Sequence, residues 1–181
     1  MAAVLVGCAA GALPAPATAQ LFVDDPIILA IRDGDITEVE AAFLAGQTAN
    51  ERSFRGVPAL TVAVGTGNTQ IVQLLLSRGA RVNATSSRDG QTALEEAVRI
   101  NRTDIVQILI DAGADVDKPG TNGQTPLMLA AQLGHTNVVK VLIDADAYLN
   151  DTDRTGRTPL DLAKERRHAH TAAVLEAAGA E

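Results

Sequence analysis

The chain has 181 residues, enough for one ordinary domain and a leader, with 22 acidic against 15 basic residues and a net charge of −7. Hydrophobic residues make up 46% of it but aromatics only 2%, with no Trp, so a core has to be built from Leu, Val, Ile and Ala. That balance favours closely stacked helices over a β-sandwich and disfavours nucleic acid, because an acidic surface without stacking rings lacks both usual means of holding it.

Residues 1–19, MAAVLVGCAAGALPAPATA, carry no charged side chain. Ala2 to Leu13 form an apolar stretch of signal-peptide length, too short to span a bilayer. Pro14 and Pro16 break it, and Ala17-Thr18-Ala19 is a small-x-small cleavage site that would leave Gln20 at the N-terminus. The expectation is a signal peptide over 1–19 and a periplasmic or secreted chain; the alternative is a cytoplasmic protein with an uncharged tail. The single Cys, Cys8, falls inside this leader, so the mature chain would have no thiol to mispair in an oxidising compartment. Leu5-Val6-Gly7-Cys8 is similar to the lipobox of bacterial lipoproteins, which makes a lipid anchor at Cys8 a further option. No other membrane insertion is expected, because the apolar helix faces are needed for stacking.

From residue 20 onward the chain repeats itself. Residues 125–135 read TPLMLAAQLGH and residues 158–168 read TPLDLAKERRH, 33 positions later. With Ala130 as a register mark, the matching alanines are Ala30, Ala63, Ala97, Ala130 and Ala163, at spacings of 33, 34, 33 and 33. Self-similarity at this period is the signature of a solenoid. Five units follow, at about 24–55, 56–88, 89–121, 122–154 and 155–181, within one domain over 20–181. The one extra residue belongs to the polar Ser86-Ser87 region.

In chain order, Asp25-Pro26 opens the first unit with Asp as helix cap and Pro at the first helical position. Glu38 stands where Val138 stands later, as a terminal unit's outward face requires. In the third unit, Thr92-Ala93-Leu94-Glu95 has the spacing of a capping box. In the fourth, Thr125 is expected as N-cap and Pro126 opens the helix. Leu127, Leu129, Ala130 and Leu133 make its apolar stripe, and Gly134 ends it. A second helix is predicted at about 136–145, with Val138, Val139, Val141, Leu142 and Ile143 inward and Lys140 outward. Thr158-Pro159-Leu160-Asp161 repeats the capping box in the last unit. There Lys164, Arg167 and Glu176 replace Ala131, Gly134 and Ile143, so this end too is dressed for water. Gly46, Gly79, Gly113 and Gly179 follow the second helices, where a left-handed residue is wanted; Asp146 fills that place in the fourth unit.

These residues resemble the ankyrin repeat. The matches are Gly123-Gln124-Thr125-Pro126-Leu127, Gly156-Arg157-Thr158-Pro159-Leu160, Gly90-Gln91-Thr92, Gly134-His135, Gly79-Ala80-Arg81-Val82-Asn83 and Gly113-Ala114-Asp115-Val116-Asp117. The resemblance covers about residues 24–181. It implies an all-α solenoid of stacked helix-turn-helix units with β-turn or hairpin tips. The family's His after Thr-Pro-Leu is here Met128, Asp161, Glu95 or Thr61, so its usual bond to the Thr is absent or replaced.

The sequence offers no catalytic constellation. It has no G-x-S-x-G, no phosphate-binding loop and no H-E-x-x-H. Gly65-Thr66-Gly67 lies at a helix end, and Glu95 and Glu96, being adjacent, point apart on a helix. His135 and His168 share one repeat position and read as loop histidines bonded to backbone. A small metal-dependent hydrolase built on Glu165, His168 and His170 is the alternative, but zinc-ligand spacings are missing. No cofactor, no metal site and no catalytic residue is expected.

What the resemblance implies is a non-catalytic module that binds a partner protein in the concave groove. Mapped residue by residue, the contacts fall on Arg32, Phe54, Arg55, Val57, Arg88, Gln91, Arg99, Ile100, Asn122, Gln124, Leu133, Arg154, Arg157 and Arg166. With their neighbours Asp33, Asp89 and Glu165, these positions hold seven Arg and three acids. The groove set therefore carries +4 and the rest of the chain −11. A basic groove on an acidic body favours an acidic partner surface. Phe54 and Ile100 are expected to stand exposed in it, as binding anchors. The chain is expected to be a monomer.

Overall fold

The computed structural model describes residues 24–120 and 123–181. These form ten short helices with no strand among them: α1 (Pro26–Asp33), α2 (Ile36–Leu44), α3 (Ala59–Thr66), α4 (Thr69–Ser77), α5 (Ala93–Arg99), α6 (Thr103–Asp111), α7 (Pro126–Leu133), α8 (Thr136–Asp144), α9 (Pro159–Glu165) and α10 (Ala169–Ala177). The expected signal peptide, residues 1–19, and Cys8 lie outside the described residues.

The helices pair as α1–α2 through α9–α10, and the pairs stack in one row. The odd helices pack in the order α1, α3, α5, α7, α9, and the even ones in the order α2, α4, α6, α8, α10. The marked alanines sit at the odd-helix contacts: Ala30 is 2% exposed, and Ala63, Ala97, Ala130 and Ala163 are fully buried. A methyl side chain there lets neighbouring backbones approach closely. Even helices supply the bulk: Ile71 and Leu75, Ile105 and Leu109, Val138 and Leu142 are buried at four-residue spacing. Each such aliphatic side chain stabilises the stack by about 2 kcal/mol.

Each helix is too short to persist alone, so its ends matter. All ten C-terminal positions are left-handed. Gly34, Gly67 and Gly134 after odd helices, and Gly46, Gly79, Gly113 and Gly179 after even ones, adopt positive φ; Asn101, Arg167 and Asp146 complete the set at φ 57°, 61° and 59°. At the other ends, the Thr125 hydroxyl accepts from Met128 N–H, and Thr158 and Asp161 form a reciprocal capping box. Thr92 accepts from Glu95 N–H, but here no reciprocal box forms. The Glu95 carboxylate lies against Gly120, where an added Cβ would come within 1.8 Å of Oε2. Asp25 occupies the N-cap of α1 without a side-chain cap bond. The Gln47 side chain reaches over and accepts from Ile27 N–H at 2.8 Å, so a loop residue twenty positions on does the capping.

Three of the expected inward positions are only half-buried: Leu129, Val141 and Ile143 pack on the core from its edge, while Leu133 is 39% exposed. In the first unit Glu38 is exposed while Ile27, Ile28 and Ile31 are fully buried, and in the last unit Lys164, Arg167 and Glu176 are exposed. Lys164 and Glu176 pair at 2.8 Å, and Thr171, buried where α8 has Val138, finds the Thr136 hydroxyl at 2.8 Å. No helix among the described residues is long and apolar enough to cross a membrane.

Candidate functional site

Between consecutive helix pairs the chain makes a tight reversal. Gly56 N–H donates to Ser53 O, Gly123 N–H to Gly120 O and Gly156 N–H to Asp153 O; each reversal is closed by a bond one residue further on, as from Ser53 N–H to Val57 O. In the third unit Gly90 N–H bonds Ser86 O, one residue further back. The single extra residue of the repeat is absorbed in that turn. Isolated β-bridges, Arg52 with Pro58 and Thr85 with Thr92, hold the stems of two of the tips.

The tip of the last unit is the most strongly built. The Asp153 side chain is 4% exposed and accepts five hydrogen bonds: from the Thr155 amide and hydroxyl, the Arg157 amide, and Arg157 Nε and Nη2. The Thr155 hydroxyl, at 2.6 Å, does most to hold the Asp153 carboxyl well below the usual carboxylate range. Burial opposes this, and Arg157 reinforces it. Arg157 is in turn raised by its bond to Asp153, and its other arm reaches Glu165 at 2.9 Å.

Tips and odd helices line a trough. One hollow of about 310 Å³ is bounded by Asp89, Gln91, Glu95, Arg99, Gln124, Leu129 and Gln132. A second, of about 370 Å³, is bounded by Gln124, Gln132, Asp153, Arg154, Thr155 and Arg157. They share Gln124 and Gln132 and so form one continuous depression across the third to fifth units. Its floor is Leu129, its sides are amides and charged groups, and it is open to solvent.

The expected site residues divide on this surface. Gln91, Arg99, Gln124, Arg154 and Arg157 border the hollows; Arg32, Phe54, Arg55, Arg88, Leu133 and Arg166 are exposed and Val57 half-buried. Asn122 lies outside the described residues. Ile100 is not an exposed anchor: as the C-cap of α5 it is half-buried and packs against the core. Phe54 is 47% exposed, with the Arg55 guanidinium 5.3 Å from its ring centroid.

Charge is more evenly matched than the residue types suggest. Arg32 pairs with the buried Asp24, Arg99 with Glu96, and Arg157 with Asp153 and Glu165. Counting Asp24, Glu96 and Asp153 lowers the groove from +4 to +1. Arg55, Arg88, Arg154 and Arg166 are left with no carboxylate within 4 Å among the described residues. Two of the three missed partners were signalled by helical-type spacing, Glu96 to Arg99 and Asp153 to Arg157. Asp24 had no such signal, since a whole helix separates it from Arg32.

The histidines serve the backbone. His168 Nε2 lies 3.1 Å from Gln132 O, and His135 bonds the Arg99 carbonyl; burial lowers the His135 pKa, with the neighbouring His168 adding to it. With Asn68 on Gly34 O and Arg102 on Gly67 O, these residues form a ladder in which the residue opening each even helix after α2 ties back to the end of the odd helix in the preceding unit. His168 is thus committed to a carbonyl and Glu165 to Arg157. Among the described residues no three His, Cys, Asp or Glu side chains gather as a metal cluster.

A family model described as ankyrin repeats, in three copies, matches residues 27–120 and 116–181.

Proposed function

From the premise that the chain belongs to the ankyrin repeat family, we propose that it is a non-catalytic module that holds another protein in its concave trough. Ankyrin repeats are generally protein–protein interaction modules. The observation that carries the reading is the pair of adjoining hollows. The half-buried amides of Gln124 and Gln132 face both, and of the charged groups around them Arg99, Asp153 and Arg157 are held in ion pairs. Side-chain amides offer a donor and an acceptor each, which matches the peptide groups of a partner chain. The free guanidiniums of Arg55, Arg88, Arg154 and Arg166 along the rim favour a partner with acidic residues at its edge. The partner binds to a single copy of the chain.

A photo-crosslinking residue placed at Gln132, in the trough, and separately at Lys140, on the outward face of α8, tests this. During capture from the native host, Gln132 should yield a covalent partner adduct and Lys140 should not. A partner captured by crosslinks from Lys140 alone would remove the trough as the binding site.

We also propose that the protein is exported, as a periplasmic or secreted chain starting at Gln20. The uncharged apolar run before Ala17-Thr18-Ala19 and the absence of Cys beyond residue 19 support this. Mass spectrometry of the native N-terminus tests it, and a chain retaining residues 1–19 without a lipid on Cys8 would place the protein in the cytoplasm instead.

A further inference from the structure

Between Glu51 and Asp89 the sequence contains no acidic residue, although the whole chain has 22. The same stretch holds Arg52, Arg55, Arg78, Arg81 and Arg88. All five are exposed, and none has a carboxylate within 4 Å among the described residues. They are half of the ten cations without an ion pair among the described residues, gathered where the first repeat passes into the second and along the second. Three of them are already held in place. Arg52 Nη1 donates to Gly56 O at 2.8 Å and to Thr85 O at 2.9 Å, bridging two neighbouring tips. Arg55 lies over Phe54, and Arg78 lies over Phe43 at 4.9 Å from the ring centroid. Two of the three phenylalanines of the chain are therefore spent on steadying arginines here. Arg81 faces the same small hollow as Arg52, beside Asn50 and Pro58.

We propose that this loop edge, from the first tip to the end of the second repeat, is a docking surface for a short acidic, extended segment of a partner protein. Arg88 adjoins Asp89 on the border of the trough, whereas Arg78 ends α4 and Arg81 lies in the loop after it; neither Arg78 nor Arg81 lines the trough's hollows. This docking surface neither depends on the trough reading nor follows from it. Guanidiniums fixed on rings and carbonyls have already lost rotamer freedom, so carboxylates meet a prepared surface. Arg81 and Arg88 are seven positions apart with no helix between them, so they span at most about 25 Å, the reach of about seven extended residues. Size decides the class of partner. The rest of the chain is strongly acidic, and screening confines attraction to about 8 Å at physiological salt. A short acidic segment feels only the local edge, whereas a nucleic acid duplex or an anionic bilayer would also meet the acidic repeats on either side.

The experiment uses the chain from Gln20 to Glu181 and fluorescein-labelled decaglutamate, followed by anisotropy at low and physiological salt. Binding should be clear at low salt and weaken on adding salt. Arg78→Glu with Arg81→Glu should lower affinity by about tenfold or more while leaving the circular dichroism spectrum unchanged. Arg78→Gln with Arg81→Gln should lower it by about threefold, and carries the test if the reversal misfolds. Arg154→Glu with Arg166→Glu, on the trough rim, should leave affinity within about twofold of the parent. Absence of binding by the parent chain at low salt overturns the proposal, as does equal binding by both Arg78/Arg81 variants. A loss as large from the Arg154/Arg166 pair would place acidic binding in the trough. A short DNA duplex or phosphatidylserine vesicles binding tighter than the peptide would assign the edge to nucleic acid or membrane.

Discussion

Asp146 ends α8 at φ 59°, the place held by glycine after the four other even helices. A side chain at positive φ costs backbone energy that glycine does not, so Asp146→Gly should stabilise the chain by about 0.5–1 kcal/mol. A thermal melt checks it, and an unchanged or lower midpoint would mean the carboxylate makes up for its backbone. Gly134, by contrast, does not accept a side chain: a Cβ there would meet His168 Nδ1 at 2.5 Å, because the next unit's histidine lies across it. Asn101 and Arg167 hold the equivalent place in the third and last units, at φ 57° and 61°. Thr61 is the other residue out of keeping with its surroundings. It is 3% exposed and its hydroxyl has no hydrogen-bond partner among the described residues. Replacing it by the isosteric Val should raise stability by about 1 kcal/mol. A fall on denaturant titration would show that the hydroxyl is satisfied in solution.

At the scale of the element, the loops after the even helices form a second ladder. Asn50 accepts from Arg81 N–H and donates to Gly79 O; Asn83 accepts from Asp115 N–H and donates to Gly113 O. Asp117 takes the same place in the next loop and accepts from Tyr148 N–H, but a carboxylate has nothing to donate to the carbonyl of Asp146. Burial raises the Asp117 pKa, the Tyr148 bond lowers it, and the nearby Asp151 and Asp115 raise it further. Asp117→Asn should therefore stabilise the chain by about 1 kcal/mol at neutral pH. A group raised in the folded state binds its proton more readily when folded, so this site of the parent chain gains stability as pH falls through the raised value. The advantage of the Asn variant should shrink over that range, and urea melts at neutral and mildly acidic pH would show it.

The tip at Asp153 behaves oppositely. Its carboxyl is held low when folded, so its contribution is complete above about pH 4, the unfolded value, and is lost as pH falls below that. Asp104, held down to about 2 chiefly by the Arg102 bond, adds to the same acid loss. Asp153→Asn should flatten the acid limb of the stability curve. Arg157→Glu should lower the melting temperature, because it breaks this tip and not only a surface charge. A reversal at Arg157 that left the midpoint unmoved would show that the tip is unimportant to the fold. Thr125 and the Thr158 capping box were readable at this scale because a cap needs only residues within one turn. The caps supplied by Gln47 to α1 and by the ladder side chains were not, since they arrive from twenty or more positions away.

Across the whole molecule, stability is the sum of pairs and of contacts between neighbouring pairs. Deleting residues 155–181 should strip the cover from α7 and α8, exposing Ala131 and Val139, which are fully buried in the intact chain. The expected result is a lower midpoint and a denaturant slope reduced by about a fifth, in proportion to the buried surface removed. An unchanged slope would mean that the last pair is not docked.

The repeat length, the five alanines, the glycines after the helices and the position of the extra residue were all fixed by the sequence alone. Each follows from interactions within one unit or from a spacing that recurs, and such features survive being read along a line. The tertiary structure decided which charges are free. Arg32, Arg99 and Arg157 look alike in sequence to Arg55, Arg88 and Arg154, yet the first three are matched by carboxylates and the others are not. It also turned Ile100 inward and set Gln124 and Gln132 side by side over two hollows. Burial depends on what the neighbouring unit places opposite, about thirty residues away in the chain, whereas these charge pairs close over three to eight positions and depend on how each tip and helix end folds back on itself.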